Sequence, residues 1–228
     1  KIRIAITINL LVTEGKTLSM VTKALFELDE ARAVQPTLGL VVLQAEETIE
    51  DEFRAYLQGR DVVLHHTRIP SGEEVTHESL SAMETQLEAA VRLFPTTTAF
   101  DVVGYACTSA STVIGEAKVA ALIDRVYPGA AATNPATAVK AAMASLGVFH
   151  PALLAPYTAE LTIDIATMLE AGGFRVPAML TFNENVEATV ARISPQSILN
   201  AIISIGHDQD CDGVFVSCTN LRCAGIIS

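Results

Sequence analysis

The chain has 228 residues, which is enough for one large domain or for two lobes of roughly 100 residues each. Half of the residues are hydrophobic and 18% are charged, a composition that excludes intrinsic disorder, collagen and coiled coils. A net charge of −11 disfavours nucleic acid and anionic membranes as partners. The apolar runs are too short to cross a bilayer and no signal peptide is recognised, so we predict a soluble cytoplasmic protein.

Short β-rich runs alternate with longer amphipathic stretches along the chain. The first part predicts strands at 2–12, 38–44, 62–67, 100–106 and 130–133, and helices at 17–28, from Thr76 to Pro95, at 112–123 and from Pro135 to Gly147. The second part predicts strands at 152–155, 176–182 and 213–217, and helices at 158–171 and 195–205. This alternation is typical of an α/β fold with mostly parallel sheets and right-handed crossovers.

Two segments of the chain repeat each other. Asp101-Val-Val-Gly-Tyr-Ala-Cys107-Thr108-Ser109 aligns without gaps on Asp212-Gly-Val-Phe-Val-Ser-Cys218-Thr219-Asn220, at an offset of 111 residues. We therefore predict an N-terminal extension of unknown role at 1–36, a first α/β lobe at 37–133 and a second α/β lobe at 134–228. The same offset places the counterpart of the strand at 130–133 beyond residue 228, so we expect the second lobe to lack its last strand and helix.

Each repeated cysteine is predicted at the carboxyl end of a strand, directly before a turn that begins a helix. Ligands bind at this edge of open α/β sheets. The N–H groups that follow, those of Thr108 and Ser109 and those of Thr219 and Asn220, are expected to hold a carboxylate. The positive end of the helix should lower a thiol pKa from about 8.5 toward neutrality, so that one sulfur is a thiolate and its partner a thiol.

A shared cleft would let Cys107 and Cys218 reach one bound molecule from opposite faces. One sulfur then removes a proton or attacks an alkene carbon, and the other delivers a proton. This chemistry needs no metal and no coenzyme. The alternative to a catalytic role is a structural one, in which the cysteines are buried structural thiols and the turn residues only cap helices.

The remaining cysteines, Cys211 and Cys223, fall outside the repeat and are predicted to be inert. Together with His207 and Cys218 they do not have the spacing of a common zinc site, so we predict no metal site. The glycines form neither a G-x-G-x-x-G nor a G-x-x-x-x-G-K pattern, which argues against nucleotide binding.

The motifs Gly104-Tyr-Ala-Cys107-Thr-Ser-Ala-Ser-Thr112 and Val216-Ser-Cys218-Thr-Asn-Leu-Arg222 resemble those of the Asp/Glu/hydantoin racemase superfamily. Within it the chain is most similar to the branch of maleate cis-trans isomerases and arylmalonate decarboxylases, with the ectoine-utilisation proteins called EutA as the nearest group. The resemblance extends over about 36–222. It implies two pseudo-symmetric Rossmann-like (flavodoxin-like) lobes, an active site in the cleft between them, the two cysteines as the catalytic pair, no cofactor, and a homo-oligomer of two or four chains.

The resemblance also assigns further residues. Tyr157 and Asn185 occupy positions similar to the substrate-binding tyrosine and asparagine of the maleate isomerases. The decarboxylases usually have glycine at the first cysteine position, so Cys107 favours racemase or isomerase chemistry. Glu46 stands where maleate isomerases carry an asparagine; an acid there would repel one carboxylate of a dicarboxylate and would instead bind an amino or amide group, which disfavours maleate.

These observations predict a cofactor-independent racemase or isomerase of a small carboxylic or amino acid, with a role in ectoine degradation. An arylmalonate-type decarboxylase that uses Cys218 alone as proton donor is the enzymatic alternative. A non-catalytic protein that binds small acids, or a thiol-based redox sensor, is the alternative from another class.

Overall fold

The computed structural model describes residues 24–28, 35–207 and 210–226 of the chain. The described residues from 35 onward belong to one compact unit. Residues 24–28 form neither helix nor strand, so the predicted helix at 17–28 is wrong over this stretch. The rest of that helix and the predicted strand at 2–12 lie outside the described residues.

The first sheet has four parallel strands in the order β2-β1-β3-β4. The strands are β1 (Thr37–Leu43), β2 (Val63–Ile69), β3 (Val102–Ala106) and β4 (Ala131–Thr133). Residues 39–43 of the central strand β1 are buried or nearly so on both faces of the sheet. Such burial explains why the sequence of this strand is a continuous apolar run without alternation.

Six helices belong to this part of the chain. They are α1 (Ile49–Leu57), α2 (His77–Ala82), α3 (Glu84–Val91), α4 (Thr108–Ile114), α5 (Glu116–Asp124) and α6 (Pro135–Leu146). The predicted start at Thr76 is confirmed, since its side chain forms a capping box with Ser79, but Met83 divides that helix in two. The predicted helix at 112–123 begins earlier and is broken at Gly115, whose φ of +94° favours glycine. Helix α1 was not predicted.

The second sheet has three parallel strands in the order β6-β5-β7. The strands are β5 (Pro151–Ala155), β6 (Met179–Thr181) and β7 (Gly213–Val216), and the helices are α7 (Ala159–Ala171), α8 (Glu187–Val190), α9 (Pro195–Gly206) and a 3₁₀ turn at Ala224–Ile226. This order repeats the order β2-β1-β3 of the first sheet. The predicted α/β fold with parallel sheets is therefore confirmed.

The aspartate that opens each repeat holds its sheet together. The backbone N–H of Thr37 donates to Asp101 over 2.7 Å, and the N–H groups of Phe149 and His150 donate to Asp212, each over 2.8 Å. In both sheets this carboxylate fixes the start of the central strand beside the strand that carries the cysteine. The repeated aspartate therefore has a structural role in both sheets. The repeated cysteine is the residue of the two segments that can take part in chemistry.

One apolar core joins the two sheets. It contains residues of β1 and β3 together with Leu153 and Ala155 of β5, and the buried residues Leu161 and Ile165 of α7 pack into it. Helix α4, which begins after Cys107, lies against α7. The carboxyl ends of β3 and β7 consequently lie next to this shared core. In the parts of the chain that the structure describes, no helix is long and apolar enough to cross a bilayer.

Candidate active site

Cys107 directly follows β3 and is the N-cap residue of α4. The backbone N–H of Ala110 donates to its Sγ over 3.4 Å, and the hydroxyl of Ser109 lies 3.5 Å from the same sulfur. The side chain is only 4% exposed. The sequence prediction of a cysteine at a strand end and helix start is confirmed, and Ser109 lies beside it as expected.

Cys218 has the matching place after β7. Its φ of +105° is a backbone conformation that residues other than glycine rarely adopt. The N–H of Asn220 donates to its Sγ over 3.4 Å, much as Ala110 does to Cys107. Strained residues of this kind are held in place by their surroundings and cluster at functional sites.

The turns that carry the two cysteines touch each other. The hydroxyl of Thr219 lies 3.3 Å from the carbonyl oxygen of Ala106, so the neighbours of Cys218 and Cys107 are in direct contact. Tyr157, which is 2% exposed, hydrogen-bonds with Cys218 and interacts electrostatically with both thiols. The structure therefore brings four of the predicted site residues together, namely Cys107, Tyr157, Cys218 and Thr219.

Both thiols resist ionisation. Burial raises the pKa of Cys107 to about 12 and raises that of Cys218 well above its ordinary value, and the carboxylates of Glu187 and Glu46 add to both effects. The prediction of a thiol pKa near neutrality is therefore wrong. The N–H donors at the two turns do lower these pKa values, but loss of water around the sulfur atoms outweighs them.

Glu46 is buried, with 5% of its surface exposed, between the two halves of the site. Its Oε1 accepts hydrogen bonds from the N–H groups of Thr48 and Ile49, at 2.9 and 3.1 Å, and its Oε2 accepts one from the hydroxyl of Thr219 at 2.8 Å. Burial raises its pKa, and these hydrogen bonds act in the opposite direction. Glu46 thus caps α1 and ties that helix to the turn that carries Cys218.

Asn220, which is 1% exposed, joins the same segments through its side chain. Its Oδ1 accepts from the N–H of Glu47 at 3.0 Å, and its Nδ2 donates to the carboxylate of Glu187 at 2.8 Å. Its own carbonyl oxygen accepts from the hydroxyl of Thr48 at 3.0 Å. The predicted ligand-binding amide is therefore the main polar link between the two halves of the site.

Glu187 belongs to the site and was missed from the sequence. It is the first residue of α8, it is 7% exposed, and burial raises its pKa. It acts electrostatically on both cysteines. The sequence feature that could have identified Glu187 is its position two residues after Asn185, in the loop that follows the predicted strand at 176–182. Because a glutamate in a loop is more often exposed to solvent, this position did not indicate a buried site residue.

The other predicted residues lie near the site in different ways. Thr108 is buried at the first position of α4. The contact that the structure gives Asn185 is through its backbone, where its carbonyl oxygen accepts from the N–H of Val75 over 2.8 Å. Among the described residues, no three His, Cys, Asp or Glu side chains are placed to hold a metal ion.

Solved structures that resemble this fold include maleate isomerases and arylmalonate decarboxylases. The maleate isomerase Iso from Pseudomonas putida S16 is 21% identical, with a TM-score of 0.74 over 82% of this chain and 79% of that chain. A cysteine-to-serine mutant of the Nocardia farcinica maleate cis-trans isomerase, with a covalently bound succinylcysteine intermediate, is 26% identical with a TM-score of 0.70 over the same shares. Unliganded arylmalonate decarboxylase is 22% identical, with a TM-score of 0.65 over 80% of this chain and 77% of that chain.

The fold places the chain in the same structural class of α/β proteins. The family model described as arylmalonate decarboxylase matches residues 71–228, which is more than half of the chain. The chain therefore belongs to the arylmalonate decarboxylase family. The comparison with curated proteins finds no match.

Proposed function

We propose that this protein is a cofactor-independent isomerase or racemase of a small carboxylic or amino acid, in which Cys107 and Cys218 act as a pair. The observation that carries the proposal is the contact between the two cysteine turns: the hydroxyl of Thr219, next to Cys218, lies 3.3 Å from the carbonyl oxygen of Ala106, next to Cys107. The electrostatic interaction of Tyr157 with both thiols supports it. The repeat supports it, because each cysteine has the same place at a strand end.

The pair can perform racemisation. One sulfur, as thiolate, takes the proton from the α-carbon of the acid, and the electron pair of the C–H bond passes into the carboxylate to give an enolate. The thiol on the opposite face gives its proton to the same carbon, which inverts the configuration and leaves that sulfur as the thiolate. N–H groups at the two turns stabilise the charge that develops.

The same pair can perform cis-trans isomerisation of an alkene acid. The thiolate forms a C–S bond to one alkene carbon while the thiol protonates the other, and the former double bond then rotates as a single bond. Loss of that proton and of the sulfur restores the double bond. The succinylcysteine intermediate in the Nocardia farcinica mutant is an adduct of this kind and supports the proposal.

The proposal extends to a role in ectoine degradation. Its support is the likeness of the two cysteine motifs to those of ectoine-utilisation proteins. A small amino acid is also compatible with the buried carboxylates of Glu46 and Glu187, since a cationic amino group is attracted where an anion is repelled.

Isotope exchange tests this function directly. The protein is incubated in deuterium oxide with aspartate, with maleate and with ectoine, and NMR follows both the incorporation of deuterium into aspartate and ectoine and the conversion of maleate to fumarate. We expect deuterium exchange or cis-trans conversion of at least one acid, and its loss in Cys107→Ser and in Cys218→Ser. Cys211→Ser, outside the repeat, is the control and should retain it. Unchanged exchange or conversion in both active-site variants would refute the proposal.

A decarboxylase that needs Cys218 alone is the second candidate, and the family model favours it. Here Cys218 protonates the enolate left after loss of carbon dioxide. Release of carbon dioxide from phenylmalonate, retained in Cys107→Ala and lost in Cys218→Ala, would select this function over the isomerase.

A further inference from the structure

The carboxylate of Glu46 is surrounded by hydrogen-bond donors. Three donors from two separate segments converge on its carboxylate: the N–H groups of Thr48 and Ile49 and the hydroxyl of Thr219. N–H groups at a helix start together with a hydroxyl are the usual surroundings of a bound carboxylate. In this protein, a side chain of the chain itself provides that carboxylate.

This anion lies within the proposed active site. Thr219, which donates to Glu46, follows Cys218 and also reaches the carbonyl oxygen of Ala106, the neighbour of Cys107. The negative charge of Glu46 raises the pKa of both thiols. A substrate that reaches both sulfur atoms therefore has this carboxylate as a neighbour.

The second lobe has no equivalent of this side chain. Glu46 is the third residue after β1, and Thr158 is the third residue after β5. The side chain of Thr158 makes no capping hydrogen bond at the start of α7. The two lobes thus differ at the position where a carboxyl group meets a helix start, although their strands and cysteines correspond.

The charges around Glu46 also disfavour a second anion. The buried carboxylate of Glu187 lies beyond Asn220 and interacts with Glu46. Arg68 is the cation that acts on Glu46, but its guanidinium already contacts the carbonyl oxygens of Leu43 and Glu46 and the carboxylate of Glu50. A further carboxylate at this place would have to compete for donors that are in use.

From these contacts we infer that Glu46 determines specificity: its carboxylate fills the place of a second substrate carboxylate, and the site accepts acids that carry one carboxylate. The inference rests on the proposed function and adds the substrate class to it. It also changes the role of Glu46 from a ligand of an amino group to an internal substitute for a carboxylate, since both of its oxygens already accept hydrogen bonds.

Maleate and maleamate are matched probes, because they differ only in one carboxylate that is replaced by a neutral carboxamide. Their dissociation constants are measured by titration calorimetry with the wild-type protein, with Glu46→Ala and with Glu46→Gln. We expect the wild type to favour maleamate by about tenfold or more, and Glu46→Ala to favour maleate, because the vacated donors then receive its second carboxylate. Formate should compete with maleate in Glu46→Ala, since it fits the same place.

Glu46→Gln provides a second test that does not depend on the folding of the alanine variant. It keeps the size of the side chain and an oxygen for the N–H donors but removes the charge, and its preference for maleamate should fall by about threefold or more. A preference that is the same in the wild type and in both variants would overturn the inference, as would failure of a folded Glu46→Ala to bind maleate. Binding does not require turnover, so this result is distinct from the isotope exchange that tests the proposed function.

Discussion

The hydroxyl of Tyr157 donates a hydrogen bond to the sulfur of Cys218, and this contact lowers the pKa of a thiol that burial otherwise raises. The phenol itself is buried and its pKa lies well above the ordinary value, so it remains protonated and able to donate. A permanent donor beside the sulfur stabilises the thiolate whenever it forms. Tyr157 is thus placed to promote the reactive state of Cys218.

Replacement of this donor should therefore suppress the thiolate. Tyr157→Phe removes the hydrogen bond and should raise the pKa of Cys218 by about one unit, since such a bond to a charged group contributes about 1.5 kcal/mol or more. Below this pKa, alkylation of Cys218 by iodoacetamide should be about tenfold slower at any given pH. Mass spectrometry of the Cys218 peptide measures this rate.

Tyr127→Phe is the matched control for this experiment. The hydroxyl of Tyr127 contacts the carbonyl oxygen of Pro95, away from both cysteines. Its variant should alkylate at the rate of the wild type. An unaltered rate in Tyr157→Phe would show that the tyrosine does not act on the sulfur.

Burial of Glu187 makes stability depend on pH. Its folded-state pKa is raised above the ordinary value of 4.5, so the folded protein holds the proton more tightly than the unfolded chain. The contribution of this group is therefore fully present below pH 4.5 and is lost as the pH rises through the folded pKa. Glu187→Gln removes this loss and should raise the melting temperature more at pH 7 than at pH 4, as measured by calorimetry.

Glu88→Gln should behave in the opposite way. Glu88 is on the surface, and its hydrogen bond with Arg92 lowers its pKa, so ionisation favours the folded state. Loss of the Glu88 charge should therefore lower the melting temperature more at pH 7 than at pH 4. Equal effects of both variants at the two pH values would contradict this assignment of the buried carboxylate.

The side chain of Asn220 should be essential for stability. Asn220→Ala leaves the partly buried N–H of Glu47 and the buried carboxylate of Glu187 without their partner, which should lower the free energy of unfolding by about 3 kcal/mol. Urea denaturation measures this loss. Asn200→Ala, at an exposed position of α9 where the amide pairs with Gln196, should cost less than about 0.5 kcal/mol. Similar losses in both variants would contradict the linking role of Asn220.

Strands and strand ends could be predicted well from the sequence, because buried parallel strands leave continuous apolar runs and the repeat gave each cysteine a partner. Helix α1 could not, since its first N–H groups are capped by Glu46 from outside the helix, and no Ser, Thr, Asp or Asn side chain caps it. The break at Met83 could not be predicted either, because the apolar residues keep their helical spacing across it.

The electrostatics of the site could be predicted least. A cysteine before a helix suggests a lowered thiol pKa, but the burial that reverses this direction depends on how the two sheets and their helices pack. Glu187 escaped notice in the same way, because only tertiary contacts with Asn220 bury a glutamate at this position. Local sequence therefore indicates which groups are present, and packing decides their protonation.

The convergence of the two sulfur atoms on one small molecule is tested most directly with phenylarsine oxide, whose arsenic forms two As–S bonds with neighbouring thiols and releases one water. In a protein in which Cys211 and Cys223 are replaced by Ser, mass spectrometry should find one arsenic bridged between Cys107 and Cys218. That adduct should be lost when either of them is also replaced. An arsenic adduct that persists after the loss of one of these cysteines, or the absence of any bridge in the protein that has both, would contradict a shared site.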